Sequence, residues 1–342
     1  MKKILTIILS LFLLLSLSAC KETEEKPSDE VIYNIGICNY VDDASLNQIV
    51  ENIELAINQY ATSNNATINI KKDNCNADAT VMQQIIANFI ADDVDLMVAI
   101  ATPVAMAMQA ATEENRIPVI FAAVSDPVGC GIVDSLEKPG ANLTGTSDYL
   151  DTATIMNLIT TLNQGITQVG LLYDQGQDSS LTAIAAAKDY LNKANIEVVE
   201  KTGTNVDEIV LAADALIYSG VKVIFTPQDN TVMKAELAIY EKLAANGVQH
   251  YGGADSFALN GAFLGYGVDY ANLGKATGAM VCAVLNEGAD PAEYSVATFD
   301  NGIATVNTET LTSLGLDFTK VQELIAPFCT EVKEIVTAES FE

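Results

Sequence analysis

Val94 to Met108 reads VDLMVAIATPVAMAM. Its apolar run from Leu96 to Ala101 has the length of a buried strand, and Thr102-Pro103 then opens a stretch of helical character. Threonine is a natural N-cap and proline suits the first helical position. The spacing therefore predicts a strand that ends at a helix N-terminus, with free N–H groups pointing outward. In an open α/β sheet that edge is where ligands bind. The pattern recurs at Val221 to Leu237, VKVIFTPQDNTVMKAEL. Ile35 to Tyr40 and Val169 to Asp174 form another matching pair, each a strand with small residues that runs into an aromatic and a polar loop. Gly36 and Gly170 stand 134 positions apart, and Val94 and Val221 stand 127 apart. Two similar α/β lobes whose strand ends face one cleft account for this spacing.

Outward from that stretch, strands are expected at 33–38, 67–71, 96–100 and 118–122, with helices near 46–61, 79–91 and 104–112. Residues 126–148, rich in Gly, Pro and Asn, read as the passage to a second lobe. There a helix at 152–162 leads into strands at 168–173, 197–200, 221–226 and 248–251, with helices at 180–193, 207–219 and 231–246. A segment at 262–268, a helix at 272–286, a strand-like pair at 295–299 and 303–307 and a final helix at 319–334 complete the chain. The expected fold class is α/β: two doubly wound parallel-sheet lobes joined by several chain crossings. The first lobe takes 31–147 and about 257–294, and the second takes 148–256 and about 295–342. Multiple crossings make a hinge.

The first 19 residues hold Lys2, Lys3, an apolar run from Ile4 to Leu17 and small residues before Cys20, the pattern of a secretory signal peptide. Residues 21–30, KETEEKPSDE, read as a flexible charged tether. Without the signal the chain carries 15 basic and 45 acidic residues, a formal charge near −30. Nucleic acid, which needs clustered Lys and Arg, is excluded as a partner. Solubility is the plain reading of the acidity. Cys38, Cys75, Cys130, Cys282 and Cys329 are an odd set that matches no zinc motif, and the one pairing their positions suggest is Cys38 with Cys75.

The inventory for catalysis is thin. His250 is the sole histidine, with no partner evident in the sequence, and the chain holds no nucleophile elbow, Walker loop or zinc-protease motif. No cofactor or metal is expected. The polar residues at strand ends are the better candidates for contact with a small-molecule ligand: Thr102, Ser125, Asp126, Thr146, Asp148, Gln175, Ser179, Gln228, Asp229, Asn230, Asp255 and Ser256. Asp42 belongs to the same edge, after the first strand. Each has an ordinary role in caps or turns, but as a set they recur at one topological edge in both halves. Tyr40, Tyr173 and Tyr266 stand at the same edge as candidate flat walls. For a zwitterionic ligand, Thr102 at its helix N-terminus suits the carboxylate, and Asp229 and Asp255 are the acidic candidates for the ammonium.

Several runs carry a family resemblance: Ile100-Ala-Thr102-Pro103, Ala123-Val-Ser125-Asp126-Pro127-Val128-Gly129, Asn142-Leu-Thr144-Gly145-Thr146-Ser147-Asp148, Pro227-Gln-Asp229-Asn230 and Gly265-Tyr-Gly267-Val-Asp269-Tyr270. Together they resemble the substrate-binding lipoproteins of ABC importers of the tryptophan/tyrosine type, over nearly all of the chain from about Tyr33 to Leu316. The resemblance implies a type I periplasmic-binding-protein fold, capture of an aromatic or otherwise apolar amino acid, and delivery to a permease and ATPase. Leu17-Ser18-Ala19-Cys20 resembles the bacterial lipobox, which implies cleavage before Cys20, a lipid on that cysteine and an extracytoplasmic site on the cell membrane. A sensor subunit presenting its bound form to a receptor is the rival role. The chain departs from its relatives at Val41-Asp42-Asp43-Ala44, in the loop Tyr173 to Ser179, and at Gln228, where they commonly have threonine. These departures fall in expected pocket loops and bear on which ligand is held.

Overall fold

The computed structural model describes residues 31–64 and 66–341. The expected signal peptide, Cys20 and the tether lie outside them. Five parallel strands form the first sheet: β1 (Ile32–Asn39), β2 (Thr67–Asn74), β3 (Leu96–Ile100), β4 (Val119–Ala122) and β5 (Leu143–Gly145), in the order β2-β1-β3-β4-β5. Ile35, Ile37, Leu96, Val98 and Ile100 pack on the side of helix α1 (Ala44–Asn64). The alternate residues Cys38, Met97, Ala99 and Phe121 pack on the side of α2 (Ala79–Ala91) and α3 (Thr102–Ala111). Burial on both faces is why these strands read as unbroken apolar runs.

The second sheet has seven strands: β6 (Gln168–Tyr173), β7 (Glu197–Thr202), β8 (Val223–Thr226), β9 (Gln249–Gly252), β10 (Leu264–Gly267), β11 (Ile303–Asn307) and β12 (Glu331–Ile335). Their order is β12-β11-β10-β9-β8-β6-β7, with only the β10–β11 pair antiparallel. Helices α4 (Thr152–Leu162), α5 (Asp178–Lys193), α6 (Val206–Ser219) and α7 (Asn230–Ala245) alternate with its strands. Three short ones, α8 (Asp255–Leu259), α10 (Thr308–Ser313) and α11 (Phe318–Ile325), accompany the later strands. The remaining helix, α9 (Tyr270–Glu287), leaves this sheet and packs along α1 of the first lobe.

Four sequence expectations are corrected here. Residues 257–267 belong with the second sheet, because β10 pairs with β9 and β11, so the return to the first lobe begins only at α9. Residues 295–299 form no strand; Ala297 makes one parallel bridge to Thr146, and β5 lies inside the stretch read as a passage. The final helix stops at Ile325. Pro327 has no N–H to continue the helix; Ala326–Phe328 makes one tighter turn, the chain becomes extended at Cys329, and Glu331–Ile335 pairs with β11 as an edge strand.

Two interior features differ from the sequence picture in their partners. His250 has a buried carboxylate beside it, Glu236 from α7 at 3.0 Å from Nδ1, while Nε2 lies 2.9 Å from the Thr226 hydroxyl. Cys38 and Cys75 are both buried and both free, with the Cys75 thiol donating to the Tyr40 carbonyl at 3.1 Å.

The α1–α9 contact is closest at Gly274 and Gly278. A Cβ at Gly274 would stand 2.6 Å from the Ile49 carbonyl oxygen, and one at Gly278 would stand 2.6 Å from Ala56 Cβ. Glycine to alanine ordinarily stabilises a helix interior by about 1 kcal/mol. Here overpacking costs about 1–3 kcal/mol and wins. Gly274→Ala is therefore expected to lower the melting temperature, and a rise on thermal denaturation would contradict this close approach.

Candidate ligand-binding site

The carboxyl ends of β1, β3 and β4 face those of β6, β8 and β9 across a small cavity of about 40 Å³. The lobes are drawn together around it. The Ser45 hydroxyl donates to Asp255 at 2.7 Å, Thr182 donates to Asp126 at 2.8 Å, and the Lys234 ammonium reaches the Asn76 carbonyl at 3.4 Å.

Backbone geometry shapes the first-lobe wall. Ala101 sits at φ 74°, ψ 157° and Ala123 at φ 54°, in the half of the map that side chains avoid. Such strain costs on the order of 1–3 kcal/mol per residue and persists where the fold over-determines it. Ala101, not Thr102, is the N-cap of α3, and no side chain caps that helix. Thr102 thus occupies the first helical position, one residue on from the expected placement, with the open helix end beside the cavity. Its hydroxyl is buried with no hydrogen-bond partner.

Gln228 Oε1 in the same lining is also buried and unpartnered, and Asp43 Oδ2 and Ser256 Oγ stand beside each other with no partner outside that pair. A buried polar atom without a partner costs about 1–3 kcal/mol, so such atoms gathered in one cavity mark a place built for something else to complete. Asp43 caps α1 through its other oxygen, which accepts from the Leu46 amide at 2.9 Å. Asp148 accepts from Ser125 at 3.0 Å and from the Tyr270 hydroxyl at 3.2 Å. Phe257, Met233, Leu46 and the Tyr270 ring supply apolar surface between these groups.

Of the residues singled out from sequence, Thr102, Ser125, Asp148, Ser179, Gln228, Asp229, Asn230 and Ser256 line this cavity. The others do not. Asp42 is exposed and accepts from Asn47 at 2.7 Å, and Gln175 is exposed in the turn before α5. Asp126 and Asp255 serve the contacts between lobes given above. Thr146 bonds Thr277 at 2.8 Å. Tyr173 and Tyr266 lie in the core beneath the helices, because strand alternation points them onto the sheet face; Tyr40 is half-buried against the core. Asp229, expected to meet an ammonium, has its oxygens occupied by the Asp174, Thr231 and Val232 amides and the Ser180 hydroxyl, at 2.7–3.0 Å. Sequence reasoning passed over Asp43, Ser45, Phe257 and Tyr270. For Asp43 a signal existed: an acid three residues before Leu46, the first apolar position of α1, is an N-cap pattern.

Burial pushes Asp148, Asp229 and Asp255 up to about 6, although Ser125, the Asp174 amide and Ser45 respectively oppose it. It pushes Asp43 up too, against the Leu46 amide and the Ser256 hydroxyl. The cleft thus holds several carboxylates, and among the described residues none lining the cavity is cationic; Lys333 acts on Asp255 from outside it.

A family model of ABC transporter substrate binding proteins matches residues 34–332. The chain belongs to that family. A tyrosine-binding protein of Clostridioides difficile is 31% identical over 324 residues, which cover 92% of this chain and 93% of the relative. Among solved structures, a domain in complex with L-Trp from Streptococcus pneumoniae superposes with a TM-score of 0.80 at 29% identity, covering 88% of this chain and 99% of that one. A ligand-free, open substrate-binding protein with adhesive properties from Clostridium difficile, also 29% identical, gives 0.66 over 90% of this chain and all of its own. The fold is that of the type I periplasmic-binding proteins, and the relatives are substrate-binding proteins, not enzymes. Members of the family act outside the cytoplasm. Among the described residues no helix is long and apolar enough to cross a membrane.

The raised carboxyls set a pH dependence. In an unfolded chain these groups titrate near 4, so between about pH 4 and 6 the folded form holds more protons, and its stability is lost as pH rises through about 6. The melting temperature of the ligand-free protein is expected to fall from pH 5 to 7.5, and to fall less in Asp148→Asn. Parallel curves for the two proteins in a pH series of melts would remove Asp148 from this account.

Proposed function

We propose that this ABC-transporter substrate-binding protein captures an amino acid, aromatic or otherwise apolar, between its lobes and delivers it to a permease with its ATPase from a lipid anchor at Cys20. The observation that carries the ligand class is the set of unpartnered atoms. Asp43 Oδ2 is an acceptor, buried and charged when ionised, and an ammonium supplies both the donor and the missing positive charge. The open N-terminus of α3, with the free Thr102 hydroxyl, offers donors and the positive end of a helix dipole to a carboxylate. Phe257, Met233 and the Tyr270 ring then receive an apolar side chain. The tyrosine-binding relative and the L-Trp complex support this reading.

Charge-assisted hydrogen bonds contribute about 1.5–3 kcal/mol. Asp43→Asn and Thr102→Val are therefore each expected to weaken amino-acid binding by roughly ten- to a hundredfold in calorimetry, with near-normal melting. Asp229→Asn should instead lower the melting temperature, since its carboxylate holds α7 and the Asp174 loop. A thermal-shift screen of amino acids, nucleosides and sugars tests the class directly: a ligand at 100 times its Kd adds about 2.7 kcal/mol. Stabilisation by sugars or nucleosides and by no amino acid would end this reading.

The anchor rests on Leu17-Ser18-Ala19-Cys20. Cys20→Ser is expected to release the protein to a soluble fraction or leave its signal uncleaved, with ligand binding intact. A processed, membrane-bound mutant on fractionation would rule the lipid out.

A further inference from the structure

The two ends of the cavity differ in chemistry. One end, where the β1–α1 loop meets the β9–α8 turn, holds Asp43 and Ser256. The other, where the loops after β4 and β5 meet the end of β8, holds Ser125, Asp148 and Gln228. In the first sheet β1 and β4 are separated by β3, while in the second sheet β8 and β9 are neighbours, so the two groups converge on the second-lobe side of the cavity. Phe257, Met233 and Tyr270 supply the apolar part of the lining.

Gln228 is held in one orientation. Its Nε2 donates to the Asp148 carbonyl oxygen at 2.6 Å, and turning the amide over would set two oxygens against each other. Oε1 is therefore the atom left over, buried in the cavity wall with no partner. An amide oxygen accepts and cannot donate, so only a donor on the ligand completes it. If the ammonium goes to Asp43, that donor belongs to the far end of the ligand's side chain.

Resting on the amino-acid reading above, we propose that Gln228 is a specificity-determining residue that selects side chains with a flat apolar body and a distal N–H or O–H donor. A phenol hydroxyl or an indole N–H meets this demand. A phenyl ring of nearly the same shape leaves Oε1 buried and unpaired, a loss of about ten- to a hundredfold in affinity.

Calorimetry with L-tyrosine, L-phenylalanine, L-tryptophan and the N-methylated indole analogue of tryptophan tests this in the wild type and in Gln228→Met. The wild type is expected to bind each donor-bearing ligand at least about tenfold more tightly than its donorless counterpart, and Gln228→Met to bring each pair within about threefold. Equal wild-type affinities within the pairs overturn the inference and leave the amino-acid reading standing. An equal loss for all four ligands in Gln228→Met also overturns it, since it means that the amide meets the ammonium or only braces the Asp148 loop. If Gln228→Met melts early, Gln228→Thr takes its place with the same two outcomes. Should none of the four bind, the aromatic amino-acid reading falls and takes this selection with it.

Discussion

The close contact between α1 and α9 is what makes a cleft out of two lobes. Having entered the second sheet and formed β10, the chain goes back to lay an 18-residue helix along the first lobe, with two glycines bringing the backbones together. It then crosses again to form β11. Together with the passage after β5, this gives three connections. A single linker would let the lobes wander independently, whereas three nearly adjacent segments restrict them to opening and closing about one axis.

Closing has an electrostatic cost that shapes everything at the sheet edges. Asp43 and Asp148 line the cavity, Asp255 stands at the lobe contact, and all three surround the Tyr270 hydroxyl closely enough to push its proton affinity well up, behind the larger effect of burial. Desolvating like charges together is unfavourable unless a cation or protons arrive. On the amino-acid reading, ligand and closure are thus linked: the ammonium's charge favours the shut form, in addition to any apolar area covered.

Much of this was legible in the chain itself. Leu96–Ile100, Gln168–Tyr173 and Ile303–Asn307 stand where hydrophobic patterning puts them, because strands buried on both faces leave no room for polar interruption. β12 was hidden, since Val321, Ile325 and Val332 sit near helical spacing and only Pro327 signals the break. Within the site, position along a strand was readable and direction was not. The tyrosines at 173 and 266 are at the right edge but turned under the helices, and Asp42 and Asp43 are adjacent carboxylates of which one faces water and the other the cavity. Asp229 and Gln228 are likewise neighbours, the first spent on capping and the second left open. Such choices depend on which hydrogen bonds each side chain has already made, and spacing alone carries no record of that.

The two strained alanines bear on how such a protein can change its diet. At Ala101 the backbone of the cleft wall is held at φ 74°, ψ 157°, a region almost confined to glycine, and Ala123 too is at positive φ. On the amino-acid reading, that stretch of backbone and the open helix end beside it form a socket that substitution can alter little. The side chains around it are the exchangeable part: Asp43 and Leu46 on the first lobe, and Gln228, Met233, Ser256 and Phe257 on the second. Changes among them can retune what is held without disturbing the backbone that grips it.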